Sequence, residues 1–199
     1  MTDVIAPRLD PLPESAVNLY WLPLGAGGHC VRLNGRLYEA AAALLGHRSA
    51  CALYHSALEV RVPEGRFVVE QTPVPRNDRA DRGVVAGGAV GSRCAGHLRI
   101  FRYELHRWRD GVIDDLAEAV ESPRLLTTDA GCARRVLSLA PSVPLLVWGR
   151  DELGTGEMWN SNSLISWLLE RSGIDTGSIH PPTGGRAPGW GAGVVVARR

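Results

Sequence analysis

The chain has 199 residues, of which 45% are hydrophobic, and its 22 basic and 21 acidic residues leave a formal net charge of +1. A chain of this length can bury one sizeable core, so we expect a single domain over residues 1–199. A net charge this close to zero creates no overall field that favours nucleic acid or an anionic membrane. No apolar run approaches the roughly 20 residues needed for a bilayer crossing, which predicts no membrane span.

Every basic residue is an arginine, and the chain contains no lysine. This excludes a lysine Schiff base and the lysine of a phosphate-binding P-loop. The start of the chain, Met1–Pro7, has no basic stretch followed by an apolar run, so we expect no secretory signal and a soluble cytoplasmic protein. The four cysteines are widely spaced, which in a reducing compartment predicts free thiols.

The first quarter of the chain contains a glycine-rich segment followed by a predicted hairpin and helix. Residues 22–28 indicate a short strand that runs into a glycine-rich turn, for which a phosphate cradle is one interpretation. The full dinucleotide fingerprint is missing, however, and residues 30–38 are typical of a hairpin that turns at Asn34-Gly35. Residues 39–47 are rich in alanine and leucine and predict a helix that ends near Gly46.

The clearest hairpin signal covers residues 52–62 and 66–72, with a turn at Glu64-Gly65. We expect Val62 to lie opposite Phe67, which makes one side of the hairpin apolar. His55 then lies on the other side.

The second half predicts an exposed loop at 73–97, a strand at 99–108 and a helix from Cys132 to Ala140 that Asp129 caps. A further helix follows Asn160. The tail at 175–199 is rich in glycine and proline, and Val194–Val196 predicts an edge strand. Together these elements predict an α+β fold, an antiparallel sheet with a helix packed against it.

The segment from Met158 to Leu169 carries the most informative pattern. Asn160 is a good helix N-cap, so Ser161 falls in the first turn, on the same inward face as Leu164 and Leu168. A hydroxyl on a buried face at the positive end of a helix suggests a nucleophile. The alternative is that Ser161 only extends the helix cap, because serine is favoured there for local hydrogen bonding.

His55 on a strand and the later motif Asn160-Ser161-Asn162-Ser163 resemble the circularly permuted papain-like hydrolases and acyltransferases of the NlpC type. In that family a strand histidine precedes an Asn-Cys nucleophile motif that opens a helix. The resemblance covers roughly residues 52–72 and 157–170. It implies a papain-like fold that acts on an amide or ester bond of an unidentified peptide, lipid or small-molecule acyl substrate, without metal or organic cofactor.

Carried over by position, the resemblance makes His55 the general base and Ser161 the nucleophile. It makes Glu70 the residue that orients the histidine, with Gln71 or Thr72 as alternatives. We expect the substrate to contact residues beside the nucleophile, namely Trp159, Asn160 and Asn162.

The serine departs from the family pattern, and this leaves two functions open. A helix end and an imidazolium can turn a thiol into a thiolate, whereas a serine needs a well-placed base that removes its proton during attack. The chain is therefore either an unusual hydrolase or acyltransferase, or a catalytically inactive papain-like fold that serves as a binding or scaffolding module. A zinc site that combines Cys51 and His55 is disfavoured, because four residues of strand separate them by about 13 Å.

Overall fold

The computed structural model describes residues 13–24, 51–74 and 82–199. The predicted hairpin at 30–38, the predicted helix at 39–47 and the glycine-rich turn from Gly25 onward lie outside these described residues.

A seven-stranded sheet forms the centre of the fold. Its strands, in chain order, are β1 (Ala16–Pro23), β2 (Ala52–Val62), β3 (Gly65–Pro73), β4 (Val84–Ala89), β5 (Arg102–Arg109), β6 (Val120–Thr127) and β7 (Gly185–Arg186). Six strands pair antiparallel in the order β4-β5-β3-β2-β1-β6, and the two-residue β7 pairs parallel with β2. The described residues also form three α-helices: α1 (Ala130–Leu139), α2 (Ser161–Arg171) and α3 (Trp190–Ala197). The predicted α+β class with an antiparallel sheet is confirmed.

The β2–β3 hairpin forms where the alternating pattern predicts it, but its register differs by two residues. Val62 pairs with Gly65 and Val60 with Phe67, so the turn is the two-residue segment Pro63-Glu64. The expected pairing of Val62 with Phe67 was wrong. Because side chains alternate with a period of two, a two-residue shift leaves every side chain on its predicted face.

Both helices with strong N-cap signals are present. Asp129 caps α1 by accepting a hydrogen bond from the backbone N–H of Cys132, and Asn160 caps α2. These two caps confirm the predicted helix starts, since a side-chain oxygen there fills otherwise unpaired backbone donors. None of the three described helices combines the length and the apolar character that a bilayer crossing needs.

Part of the segment predicted to be an exposed loop at 73–97 is a strand. Residues 84–89 form β4, which pairs with β5. The glycines that suggested a loop allow this pairing, because a side chain at Gly88 would collide with the ring of Tyr103. The next strand, β5, begins at Arg102, after a single 3₁₀ turn at Arg99–Phe101.

The predicted edge strand at Val194–Val196 is wrong, because this segment lies within α3. Three consecutive valines favour a strand locally, but tertiary packing overrides that propensity. Gly189 precedes the helix with φ of 84°, a conformation that favours glycine. Gly193 lies so close to α2 that a Cβ atom there would overlap the backbone carbonyl of Ser163.

The sheet is buried on both faces. On one face the three helices cover a large apolar core that includes Trp21, Leu58 and Val69. On the other, a smaller cluster surrounds Leu22 and Ala57. We call these the helix face and the second face, and the predicted site residues divide between them.

Candidate functional site

The polar residues at the start of α2 first stabilise the helix itself. The side-chain oxygen of Asn160 accepts hydrogen bonds from the backbone N–H groups of Asn162 (2.9 Å) and Ser163 (3.3 Å). In return, the Ser163 hydroxyl accepts a hydrogen bond from the Asn160 backbone N–H at 3.1 Å. This reciprocal arrangement is a capping box. It gives Asn160 and Ser163 a structural role that requires no catalytic function.

The same residues also anchor the loop that leads into α3. The side-chain amides of Asn160 and Asn162 both donate to the backbone carbonyl of Pro188, at 2.8 and 2.9 Å. The Ser163 hydroxyl donates to the carbonyl of Gly189 at 2.7 Å. One turn further along α2, Ser166 donates to the carbonyl of Trp190, also at 2.7 Å. The motif and Ser166 together therefore fix the chain from 188 to 190 against the helix.

Asn162 connects this assembly to the sheet. Its amide nitrogen also donates to the backbone carbonyl of Tyr54 in β2, and its oxygen accepts from the Ser56 hydroxyl, both at 2.9 Å. Asn162 thus joins β2, α2 and the loop before α3 through one buried side chain.

Ser161 is 4% exposed. Its hydroxyl makes no hydrogen bond with another described residue, unlike its neighbours in the motif. A hydroxyl at the positive end of a helix is suited to nucleophilic attack only if a base lies within hydrogen-bond reach.

His55 lies on the second face of the sheet, away from Ser161. Its neighbour Ser56 reaches α2 on the helix face, and successive strand residues project to opposite faces. The antiparallel pairing of His55 with Leu22 places its side chain beside the second-face cluster. The structure therefore does not bring the predicted base and nucleophile together, because the sheet separates them.

Burial lowers the pKa of His55 to about 4, so the imidazole is neutral at pH 7. Its ring makes no hydrogen bond with a described residue. Burial thus explains why His55 is neutral, and none of the described residues acts as its catalytic partner.

Glu70 shares the second face with His55, as the alternation predicts. If the hairpin register is continued past its last pair, Leu58 with Val69, Glu70 lies opposite Ala57, two residues from His55. That spacing is about 7 Å along the strand. Glu70 makes no hydrogen bond with a described residue, so it does not orient His55. The alternative Gln71 projects to the helix face, where neither polar atom of its buried amide has a partner.

The predicted substrate contacts are buried. Trp159 is 2% exposed, and its indole nitrogen is buried without a hydrogen-bond partner. Asn160 and Asn162 are buried too, and the hydrogen bonds described above occupy their amides. An open cavity of about 370 Å³ lies elsewhere, lined by Arg93, Glu152 and their neighbours, and includes none of the predicted residues.

Sequence reasoning missed a cluster on the second face around His106. His106 pairs with Glu70 across β3 and β5, and both side chains are buried. Burial, and then the negative charge of Asp114, raise the pKa of Glu70 to about 8, while burial lowers the pKa of His106. The signal for this cluster was the alternation of β5, which places Glu104 and His106 on one face.

The raised pKa of Glu70 predicts a loss of stability with rising pH. An unfolded glutamate loses its proton near pH 4.3, whereas folded Glu70 keeps it to about pH 8, so its stabilising contribution falls across this range by up to about 1.4 kcal/mol per pH unit. His55 and His106 have lowered pKa values, so their protonation changes the free energy of unfolding only below about pH 6.5.

Between pH 6.5 and 8 we therefore expect the wild type to lose about 1–2 kcal/mol relative to Glu70→Gln. Urea unfolding at several pH values measures this difference. Parallel stability curves for the two proteins would show that Glu70 ionises normally.

Among the described residues, no group of three or more histidine, cysteine, aspartate or glutamate side chains is arranged to hold a metal ion. No family model matches the chain, and no curated protein or solved structure is significantly similar to it.

Proposed function

We propose that this chain is a binding or scaffolding module, in which the motif at the start of α2 has a structural role. The observation that carries the proposal is the hydrogen bond between Ser56 and Asn162. It directs Ser56 to α2 and therefore directs its neighbour His55 to the other side of the sheet.

The hydrogen bonds of the motif support the same conclusion. Three of its four side chains hold the helix cap, β2 and the loop before α3 together. In a nucleophile site these polar groups would need to face a cleft and stabilise charge that develops on a substrate. Here they face neighbouring backbone.

The competing hydrolase or acyltransferase function requires that an imidazole activates the side chain at position 161, and this can be measured. A cysteine at this position, in a variant with the four native cysteines changed to serine, would become a reactive thiolate if an imidazole activated it. We expect Ser161→Cys to react with iodoacetamide more slowly than a small free thiol, because the position is buried.

The matched control is the same variant with His55→Ala, which we expect to react at an unchanged rate. A reaction faster than that of the free thiol, together with at least a tenfold loss on His55→Ala, would establish the catalytic alternative. Labelling of the wild type by a fluorophosphonate that depends on both residues would lead to the same conclusion.

A further inference from the structure

We propose that the second face of the sheet carries a binding site for a small organic cation, a guanidinium or ammonium group, formed by Glu70, Thr72, Glu104 and His106. The inference rests on the binding function proposed above and names its ligand class. It concerns the face opposite α2, so its test is independent of Ser161.

Two pairs of facing residues form the site. Glu70 pairs with His106 and Thr72 pairs with Glu104 across β3 and β5. Paired residues of antiparallel strands have Cβ atoms about 5 Å apart, so the four side chains form one contiguous patch. The Nε2 atom of His106 lies 3.5 Å from both the Thr72 hydroxyl and a carboxylate oxygen of Glu104. Glu104 keeps 28% of its side chain exposed, which leaves the patch open to solvent.

Glu70 provides an independent sign of a ligand. It is only 6% exposed, yet its carboxyl group makes no hydrogen bond with a described residue. Buried polar groups in folded proteins are normally hydrogen-bonded, because an unpaired one loses its water contacts without compensation. A ligand that donates hydrogen bonds would supply the missing partner.

The side chain of Arg82 shows that a guanidinium group can bind on this face. Its guanidinium lies over the ring of Trp108, 5.4 Å from the centroid, and 3.5 Å from a carboxylate oxygen of Asp114. Trp108 follows His106 by two residues and shares its face. An aromatic ring beside carboxylates is the usual environment for guanidinium and ammonium groups.

The local charge also favours a cation. Among the described residues, the charged groups that act on Glu70 are Asp114, Asp115 and Arg82, and those that act on His106 are Glu104, Arg82 and Asp114. Of the part of the chain that the structure describes, three carboxylates and one guanidinium thus act on two residues that are neutral at pH 7. A bound cation would reduce this excess of negative charge and favour the ionised form of Glu70.

The test is a titration of the ¹⁵N-labelled full chain with methylguanidinium chloride at pH 8.5, with sodium chloride at equal ionic strength as a control. The readout is the indole N–H signal of Trp108, assigned with Trp108→Phe. We expect a saturable shift with methylguanidinium only. The dissociation constant should be at least tenfold weaker in Glu70→Gln and unchanged in Glu64→Gln, whose glutamate lies exposed at the hairpin turn.

Affinity should also rise about tenfold from pH 6.5 to 8.5, since Glu70 must lose its proton to pair with the cation. A shift that does not saturate, or that sodium chloride reproduces, would overturn the proposal. So would saturable binding that survives Glu70→Gln in a variant whose thermal unfolding is normal. None of these outcomes changes the reactivity expected for Ser161→Cys.

Discussion

Replacing Asn162 with alanine should lower the free energy of unfolding by about 3 kcal/mol. The change removes two buried hydrogen bonds, to Ser56 and to the carbonyl of Tyr54, and a partly buried one to the carbonyl of Pro188. The Pro188 carbonyl keeps its hydrogen bond from Asn160, but the Ser56 hydroxyl and the Tyr54 carbonyl lose a buried partner, and each such loss costs about 1–3 kcal/mol. The loss is large because this one side chain joins three separate segments.

Ser161→Ala is the matched control, since it alters the adjacent residue in the same helical turn. The Ser161 hydroxyl makes no hydrogen bond with a described residue, so we expect a change below about 1 kcal/mol. Urea unfolding of both variants gives the comparison. Equal destabilisation of the two would show that the motif does not depend on Asn162 as its connecting residue.

Gly193→Ala should destabilise the protein by about 2 kcal/mol or more, which reverses the usual effect of alanine in a helix. In an unconstrained helix, alanine is favoured over glycine by about 1 kcal/mol. At Gly193 the added Cβ would overlap the backbone carbonyl of Ser163 and the hydroxyl of Ser166, so α2 and α3 would have to move apart.

Gly191→Ala provides the control, because it makes the same substitution in the same helix. A Cβ atom at Gly191 meets only the end of the flexible Glu157 side chain, at 3.2 Å. Gly191→Ala should leave the free energy of unfolding unchanged or raise it by up to about 1 kcal/mol. Thermal unfolding of the two variants measures the difference in sign, and a stabilising Gly193→Ala would contradict the close packing of α2 on α3.

The elements that the sequence predicts well are those whose signal is local. The β2–β3 hairpin alternates clearly because each strand has polar and apolar sides, and α1 and α2 begin at residues whose side chains cap the backbone. These features depend on a few neighbouring residues.

The missed elements depend on distant packing. The predicted short strand from residue 22 overlaps only the end of β1, because Leu19 and Leu22 are buried on opposite faces and the strand shows no alternation of polar and apolar residues. Gly88 and Gly193 lie in segments whose composition predicts loops. In the structure each of them must be glycine because another element approaches it closely. No local pattern distinguishes such a glycine from one in a turn.

For the site, the sequence contained a signal against the predicted pair. Leu58, Val60 and Val62 form the apolar side of β2, and an apolar helix packs on the apolar side of a sheet. His55 has the opposite parity, so the same alternation that predicts the strand places the histidine away from α2. The cluster of Glu70 and His106 required the pairing of β3 with β5, which no local pattern provides.

A pair of double-mutant cycles on the free energy of unfolding measures whether His55 and Ser161 lie on opposite faces of the sheet. The His55→Ala and Ser161→Ala changes should be additive within about 0.5 kcal/mol, as expected for side chains without contact. The Ser56→Ala and Asn162→Ala changes should show a coupling energy of about 1 kcal/mol or more, because these two side chains share a hydrogen bond. Coupling above about 1 kcal/mol between His55 and Ser161, with none between Ser56 and Asn162, would contradict the account.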